Sequence, residues 1–430
     1  MKETKIELRE NKRLGEKYYY TKHSSGLDIY LFPKSFTTTY AVFATKYGSI
    51  DRVFRVNGET NDTVIPDGLA HFMEHKLFEN EDGTDTFSRY AKFGGSANAY
   101  TSFEKTAYLF YATDNVKENL EVLLDFVRHP YFTDETVAKE QGIIGQEIKM
   151  YDDLPSWKVY FNMLSSLYQN HPVKIDIAGT VESIAEITPE ILHKTYKCFY
   201  NLSNMVLCLS GSIDMKDVLE VADKVLTVAD EEIKIERKLP VEPDEIAQEK
   251  IVQALDVALP LYNIGLKLKH PEKPENKYKF FVENNILLSL LFDESSEFYG
   301  KLYDSGLING KFGANYEAFR DIALVCISGS GEEPQKVFDE IKAEFENRRN
   351  NFFTEEEFER AKKVLYAAQI SCFDGTEQIA STFLSLVFEG MDLLDLADYI
   401  AASTYEDVKK CFMENYRTDR MAISVIVPKE

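Results

Sequence analysis

The chain has 430 residues, room for two to four domains of the usual ~100–200 residues. Hydrophobic residues (44%) and charged residues (28%) stand in an ordinary globular balance, and no apolar run nears the ~20 residues that span a bilayer, so no membrane segment is expected. A formal net charge of −23 excludes the basic footprint of a nucleic-acid binder; it is compatible with plain solubility or with an acidic chamber that favours cationic peptides.

The opening segment MKETKIELRENKRLGEKYYY is too polar for a signal peptide and too rich in Glu for a transit peptide, so the expected address is the cytoplasm. Strand-like runs follow at LDIYLF and TYAVFATKYG, then helical patterns near 67–79 and 86–93. Strands are expected around 97–102 and 106–113, helices over about 115–200, the strand MVLCLSGS, and a helix near 215–228. The segment IKIERKLPVEPDEIAQEK is charged, holds two prolines and lacks apolar periodicity, which reads as a linker over 233–250. The order then recurs: strands VQALDVALP and YNIGLKLK, helices at about 277–293 and 296–305, strands FGANYEAF and IALVCISGS, helices from about 333 to 416, and a last strand MAISVIV. The repeat predicts an α+β fold of two related domains, 1–232 and 251–430, with neighbouring strands in antiparallel pairs. The five cysteines (Cys198, Cys208, Cys326, Cys372 and Cys411) have no CxxC spacing and are expected to be buried apolar residues rather than disulfides or metal ligands.

Chemistry concentrates in His71-Phe72-Met73-Glu74-His75. Positions i and i+4 share a helix face, so both imidazoles can reach one metal ion, with Glu74 beside them. Pro66-Asp67-Gly68 marks the helix start, while Leu69, Phe72, Met73 and Leu77 fall on the opposite face as core. Zinc suits two imidazoles, a third protein ligand and a water, and a carboxylate such as Glu74 can take that water's proton. Alone, the motif also fits a pair of structural histidines. A third ligand is sought in the helix after Thr133, a candidate cap, where Glu140, Ile143, Ile144 and Glu147 are placed on one face. Gly142 and Gly145 interrupt that helix, and a close approach by a neighbouring helix would account for them.

The segments GLAHFMEHKLF, GGSANAYTSFEKTAY, EQGIIGQEIKMYDDLP and HPVKIDIAGTVESI together resemble the pitrilysin, insulinase and mitochondrial-processing-peptidase family of inverzincins, over about residues 25–230. The resemblance implies one Zn2+ per chain on His71, His75 and Glu147, Glu74 as general base, and Glu140 as a supporting acid. It implies an edge strand at Gly95, Ser96, Ala97, Asn98 and Ala99 that pairs with the substrate backbone, Asn98 orienting the scissile peptide. It also implies domains built as twisted sheets backed by helices, four of them forming a chamber, so that a two-domain chain dimerises.

One stretch departs from the family pattern. Where an Arg and a Tyr that stabilise the oxyanion are expected, the sequence has Glu297, in Ser295-Ser296-Glu297-Phe298-Tyr299, and Asn309; Tyr299 and Tyr303 are near but out of register. The expected assembly is therefore a heterodimer with a related chain that supplies Arg and Tyr, otherwise a homodimer. The expected activity is endoproteolysis of peptides or short unfolded segments; the alternative is a non-catalytic peptide-binding or scaffold subunit, a class that tends to lose the zinc residues this chain keeps.

Overall fold

A computed structural model describes residues 5–226 and 233–429. The end of the expected helix 215–228 and residue 232 of the first expected domain lie outside the described residues, as do 1–4 and 430.

The first half contributes strands β1 (Glu7–Asn11), β2 (Glu16–Lys22), β3 (Asp28–Pro33), β4 (Thr39–Thr45), β5 (Val53–Val56), β6 (Thr63–Val64), β7 (Ser96–Thr101), β8 (Thr106–Ala112) and β9 (Met205–Gly211). Seven of them form one sheet in the order β1-β2-β3-β9-β4-β8-β7. After β10 (Ile235–Arg237), the second half supplies β11 (Lys250–Leu255), β12 (Leu261–Leu268), β13 (Gly313–Phe319), β14 (Ile322–Ser330) and β15 (Met421–Pro428), ordered β11-β15-β12-β14-β13. Strip the β1–β2 hairpin from the first sheet and the two orders are the same. Each also has its one parallel pair in the same place, β3 with β9 and β11 with β15, the remaining pairs being antiparallel. The fold is α+β and duplicated, as the repeat predicts.

Helices cover both faces of each sheet. In the first half α1 (Leu69–Lys76), α2 (Thr86–Ala91), α3 (Val116–Arg128), α4 (Asp134–Asp152) and α5 (Pro155–Leu167) lie between β6 and β9. The strand β4, TYAVFAT, is buried at every position, as a central strand covered on both faces requires. Its Ala41 and Phe43 join the core behind α1 and α3, while Tyr40 and Val42 pack with Phe383 and Leu384 of the helix Thr376–Phe388. That helix comes from the second half. Reciprocally, α5 of the first half lies on β12 and β15. Each half thus lends one helix to the other half's sheet.

The stretch expected as a linker is packed instead. Residues 235–237 form β10 and pair with β5. Its charges are what recruit it: Arg237 donates to Asp51 Oδ1 at 2.8 Å, and Glu242 accepts from Lys267 Nζ at 2.6 Å and from the backbone N–H groups of Gln169, Asn170 and His171. The sequence pattern also passed over β1 and β2, because β1 (ELREN) is almost wholly exposed and shows no buried alternation. All five cysteines are buried and free, and among the described residues no helix is long and apolar enough to cross a membrane.

The halves meet where the β7–β8 turn faces the β13–β14 turn. Arg320 sits there in the left-handed region (φ +49°), which costs a non-glycine residue ~1 kcal/mol or more. Its guanidinium holds the fully buried Asp51 side chain through two bonds (2.6 and 3.0 Å), and its N–H donates to Glu104 and Glu389. Burial pushes the Glu104 carboxyl up to about 8, against the opposing charge of Lys105 and with the help of Glu389. Removing one partner of a buried ion pair strands the other, so Asp51→Asn is expected to lower the unfolding free energy by about 3–5 kcal/mol. Urea titration followed by circular dichroism reads this; an unchanged midpoint would mean the seam contributes nothing to stability.

Candidate metal centre

The helix α1 begins at Gly68, which has φ +88° and whose added Cβ would stand 2.4 Å from the Ala178 carbonyl oxygen. Only glycine makes that entry. Leu69, Phe72, Met73 and Leu77 are sealed in the core behind it, as the apolar spacing predicts. The other side of the helix presents His71, Glu74 and His75, of which His71 (9% exposed) and Glu74 (8%) are buried.

The partner helix α4 starts at Thr133, whose hydroxyl accepts from the Thr136 N–H in a capping box. Its buried stripe is Val137, Glu140, Ile144 and Ile148, with Glu147 at the margin. Ile143, expected on the same face, lies outside it and is 47% exposed. At 100° per residue it stands on the far side of Glu147 from that stripe. The proposed reason for Gly142 and Gly145 also fails: a Cβ on either would meet nothing within 4 Å.

The three expected ligands converge. Nε2 of His71 lies 3.7 Å from Glu147 Oε1, and Nε2 of His75 lies 3.6 Å from Glu147 Oε2. One donor atom from each of His71, His75 and Glu147 lies within 4.8 Å of the others. Donors bound at ~2.0–2.1 Å to a tetrahedral ion stand roughly 3.3–3.5 Å apart, so the group fits zinc once the donors draw inward by up to about an ångström. Glu140, buried among the helices, meets His75 Nδ1 at 3.0 Å and leaves Nε2 free for the centre. Burial and the neighbouring His75 hold the His71 imidazole well below its ordinary range, hence neutral, the form that ligates a metal. Burial also lowers His75, but the bond to Glu140 and the charges of Glu74, Glu140 and Glu147 outweigh it and raise the group overall. Burial raises Glu74, opposed by a hydrogen bond from Thr101.

Two residues of this shell escaped the sequence reading. Thr101 donates to Glu74 Oε2 at 2.6 Å, and Tyr151 donates to Glu147 Oε1 at 2.7 Å while its ring stacks on Trp157. Tyr151 had a signal, standing at i+4 from Glu147. Thr101 lies in GGSANAYTSFEKTAY, but nothing in one sequence marks which hydroxyl faces α1.

The expected substrate strand is β7, and it is an edge, β8 being its one paired neighbour among the described residues. Ser96, Ala97, Asn98 and Ala99 lie on it; Gly95 precedes it, packed so closely on Asn119 that a Cβ would stand 2.0 Å from Oδ1. Ala97 and Ala99 turn to the helix-side core. Asn98 turns the other way, toward a cavity lined by Tyr40, Tyr100, Tyr111 and the helix Thr376–Phe388, and its Oδ1 accepts the Ala99 N–H at 2.9 Å.

Residues 55–181 match the family Insulinase (Peptidase family M16), and residues 186–365 match the Peptidase M16 inactive domain. A Bacillus subtilis protein named as the uncharacterized zinc protease YmfH is 41% identical over 98% of this chain and 99% of its own length. The chain belongs to peptidase family M16. A crystal structure described as an M16-like peptidase of Alicyclobacillus acidocaldarius superposes on this M16 chain with a TM-score of 0.92 and 34% identity, each covered over 99% of its length. A mitochondrial-processing peptidase β subunit of Schizosaccharomyces pombe is 28% identical over 54% of this chain and 52% of its own length. The donor set predicts that His75→Ala leaves two protein ligands and loses zinc. Metal analysis of the purified variant checks this, and stoichiometric zinc retained there would reject these donors.

Proposed function

We propose that this chain is a zinc-dependent endopeptidase acting on peptides or short unfolded segments, and the catalytic member of a two-chain assembly. The observation that carries it is the convergence of His71, His75 and Glu147, with the buried Glu74 carboxylate on the same helix face. Zinc held by these residues would supply Lewis acidity, activating a peptide carbonyl and a water toward each other near neutral pH.

The chain's own residues do the rest. Glu74 takes a proton from the attacking water on one carboxylate oxygen and passes it to the leaving amine, the two halves of general acid–base catalysis. Glu140 fixes the His75 ring through Nδ1, and Tyr151 fixes Glu147. The free edge of β7 offers its backbone to an extended peptide as an added strand, which gives affinity with little side-chain discrimination. Gly95, Ser96, Ala97, Asn98 and Ala99 form or lead into that edge.

The second half supports the two-chain assembly. The Glu297 side chain is 85% exposed at the first turn of the helix Glu297–Asp304, with Arg348 at 3.6 Å as its cation. Asn309 is engaged inside the chain, donating to the Ser330 carbonyl at 2.8 Å. Tyr299 is buried beside Tyr303. None of these offers an oxyanion a positive charge, so a related chain with Arg and Tyr at these places would supply what is missing; a homodimer is the simpler assembly it displaces.

The Glu74→Gln variant is expected to keep zinc and lose about 100-fold or more in kcat. Unchanged cleavage of a quenched peptide would remove Glu74 as base. Adding a related chain that carries the Arg and Tyr to the isolated chain is expected to raise kcat about 100-fold, the scale of one oxyanion donor. Full turnover by the isolated chain would leave the peptidase but discard the heterodimer.

A further inference from the structure

Side chains alternate along β7, so Asn98 and Tyr100 point to the cavity beside the helix Thr376–Phe388 while Ala97, Ala99 and Thr101 point to the helices. Thr101 is the one polar side chain that the strand sends to that side. Its hydroxyl lies 2.6 Å from Glu74 Oε2, in the range of a charge-assisted O–H···O⁻ bond, and no other hydrogen bond reaches the Glu74 carboxylate among the described residues.

The strand end is itself held. Ser102 N–H donates to the Lys105 carbonyl, the Ser102 carbonyl accepts from Ser49 N–H, and the Phe103 carbonyl accepts from Ile50 N–H. One residue further on, Glu104 accepts the Arg320 N–H from the second half. The hydroxyl that touches Glu74 therefore hangs on a backbone pinned from both sides.

We propose that Thr101 is the positioning residue for Glu74, and that it makes the peptide-binding edge and the base one mechanical unit. The inference rests on Glu74 acting as the base. Thr101 occupies Oε2, fixes the carboxylate rotamer, and leaves Oε1 as the proton-accepting oxygen. A peptide added to β7 then docks on the element that aims the base. Without the hydroxyl, the carboxylate rotates freely and the strand binds as before.

Thr101→Val keeps the shape of the side chain and the strand preference and removes the hydroxyl alone. In the zinc-loaded full chain, with its partner where turnover requires one, this variant is expected to keep its zinc and its KM for a quenched peptide and to lose about 10–50-fold in kcat, a fraction of the ~100–10,000-fold a general base contributes. Thr101→Ser is expected to restore kcat to within about threefold of the wild type, because the hydroxyl returns. In the Glu74→Gln background, Thr101→Val is expected to add no further loss, since the group it positions is already disabled. Thr101→Ala carries the same comparison should the valine variant fail to fold. A wild-type kcat in the valine variant, a loss confined to KM, or losses that multiply in the double variant would each overturn the inference. An inactive wild-type complex would instead overturn the peptidase assignment, so the two failures are distinct.

Discussion

The cost of burying charge governs this structure. Around α1 and α4, the carboxylates of Glu74, Glu140 and Glu147 stand with two imidazoles in a site where His71, Glu74 and Glu140 are nearly shut off from water. A lone buried carboxylate is costly, and the protein offers it little relief: one imidazole nitrogen for Glu140, a threonine hydroxyl for Glu74, a tyrosine hydroxyl for Glu147. Three acidic side chains against two imidazoles leave a surplus of acid. A divalent cation would offset that surplus within reach of His71, His75 and Glu147. A cluster of structural histidines needs no such surplus of acid, which is why the geometry favours a metal over that alternative.

Holding five polar side chains in register demands rigidity behind them. The apolar face of α1 is locked in the same core that receives Ala41 and Phe43 of the central strand β4, so the helix cannot roll without opening the sheet. Across the sheet, the helix lent by the second half fills the opposite face; the Asp51–Arg320–Arg237 cluster ties the β13–β14 turn to the loop after β4 and to β10, and Arg320 N–H reaches Glu104 on the β7–β8 turn. Because the turn after β7 belongs to that seam, the edge strand and the metal site share one foundation. A buried ion cluster is a weak source of net stability, but it specifies geometry, since alternative pairings would strand a charge.

The sequence showed the duplicated order, and His71 and His75 on one helix face, for a physical reason: period-2 and period-3.6 patterns survive wherever one side of an element is buried. It failed where burial does not write a pattern. The exposed β1 shows none, and β10 is recruited through Arg237 and its neighbours rather than through apolar alternation. On α4 the i, i+3, i+4 spacing put Ile143 and Ile144 together, yet only Ile144 is buried, because the buried stripe runs from Glu140 through Ile144 and Val137 to Ile148, away from Ile143. Spacing fixes which residues are neighbours on a helix; it does not fix which side of them the core lies. Thr101 and Tyr151 depend on contacts between elements distant in sequence, and no local period reports those.

Duplication also explains why the halves differ in chemistry while sharing a sheet. Between β12 and β13, where the first half carries the eight-residue α1, the second half carries the helix Pro274–Phe292, which buries Tyr278, Phe280, Val282, Ile286, Leu287, Leu288, Leu290 and Leu291. Its buried polar residue, Asn284, uses its amide to donate to the Phe280 carbonyl one turn back. That helix maximises apolar contact and carries no histidine. In the first half the helix is cut short, so a turn rather than a longer apolar face follows His75, and the stripe beside the sheet edge is left for polar groups. One copy of the fold spends its helix on packing, and the other, braced by it, keeps buried charge in place.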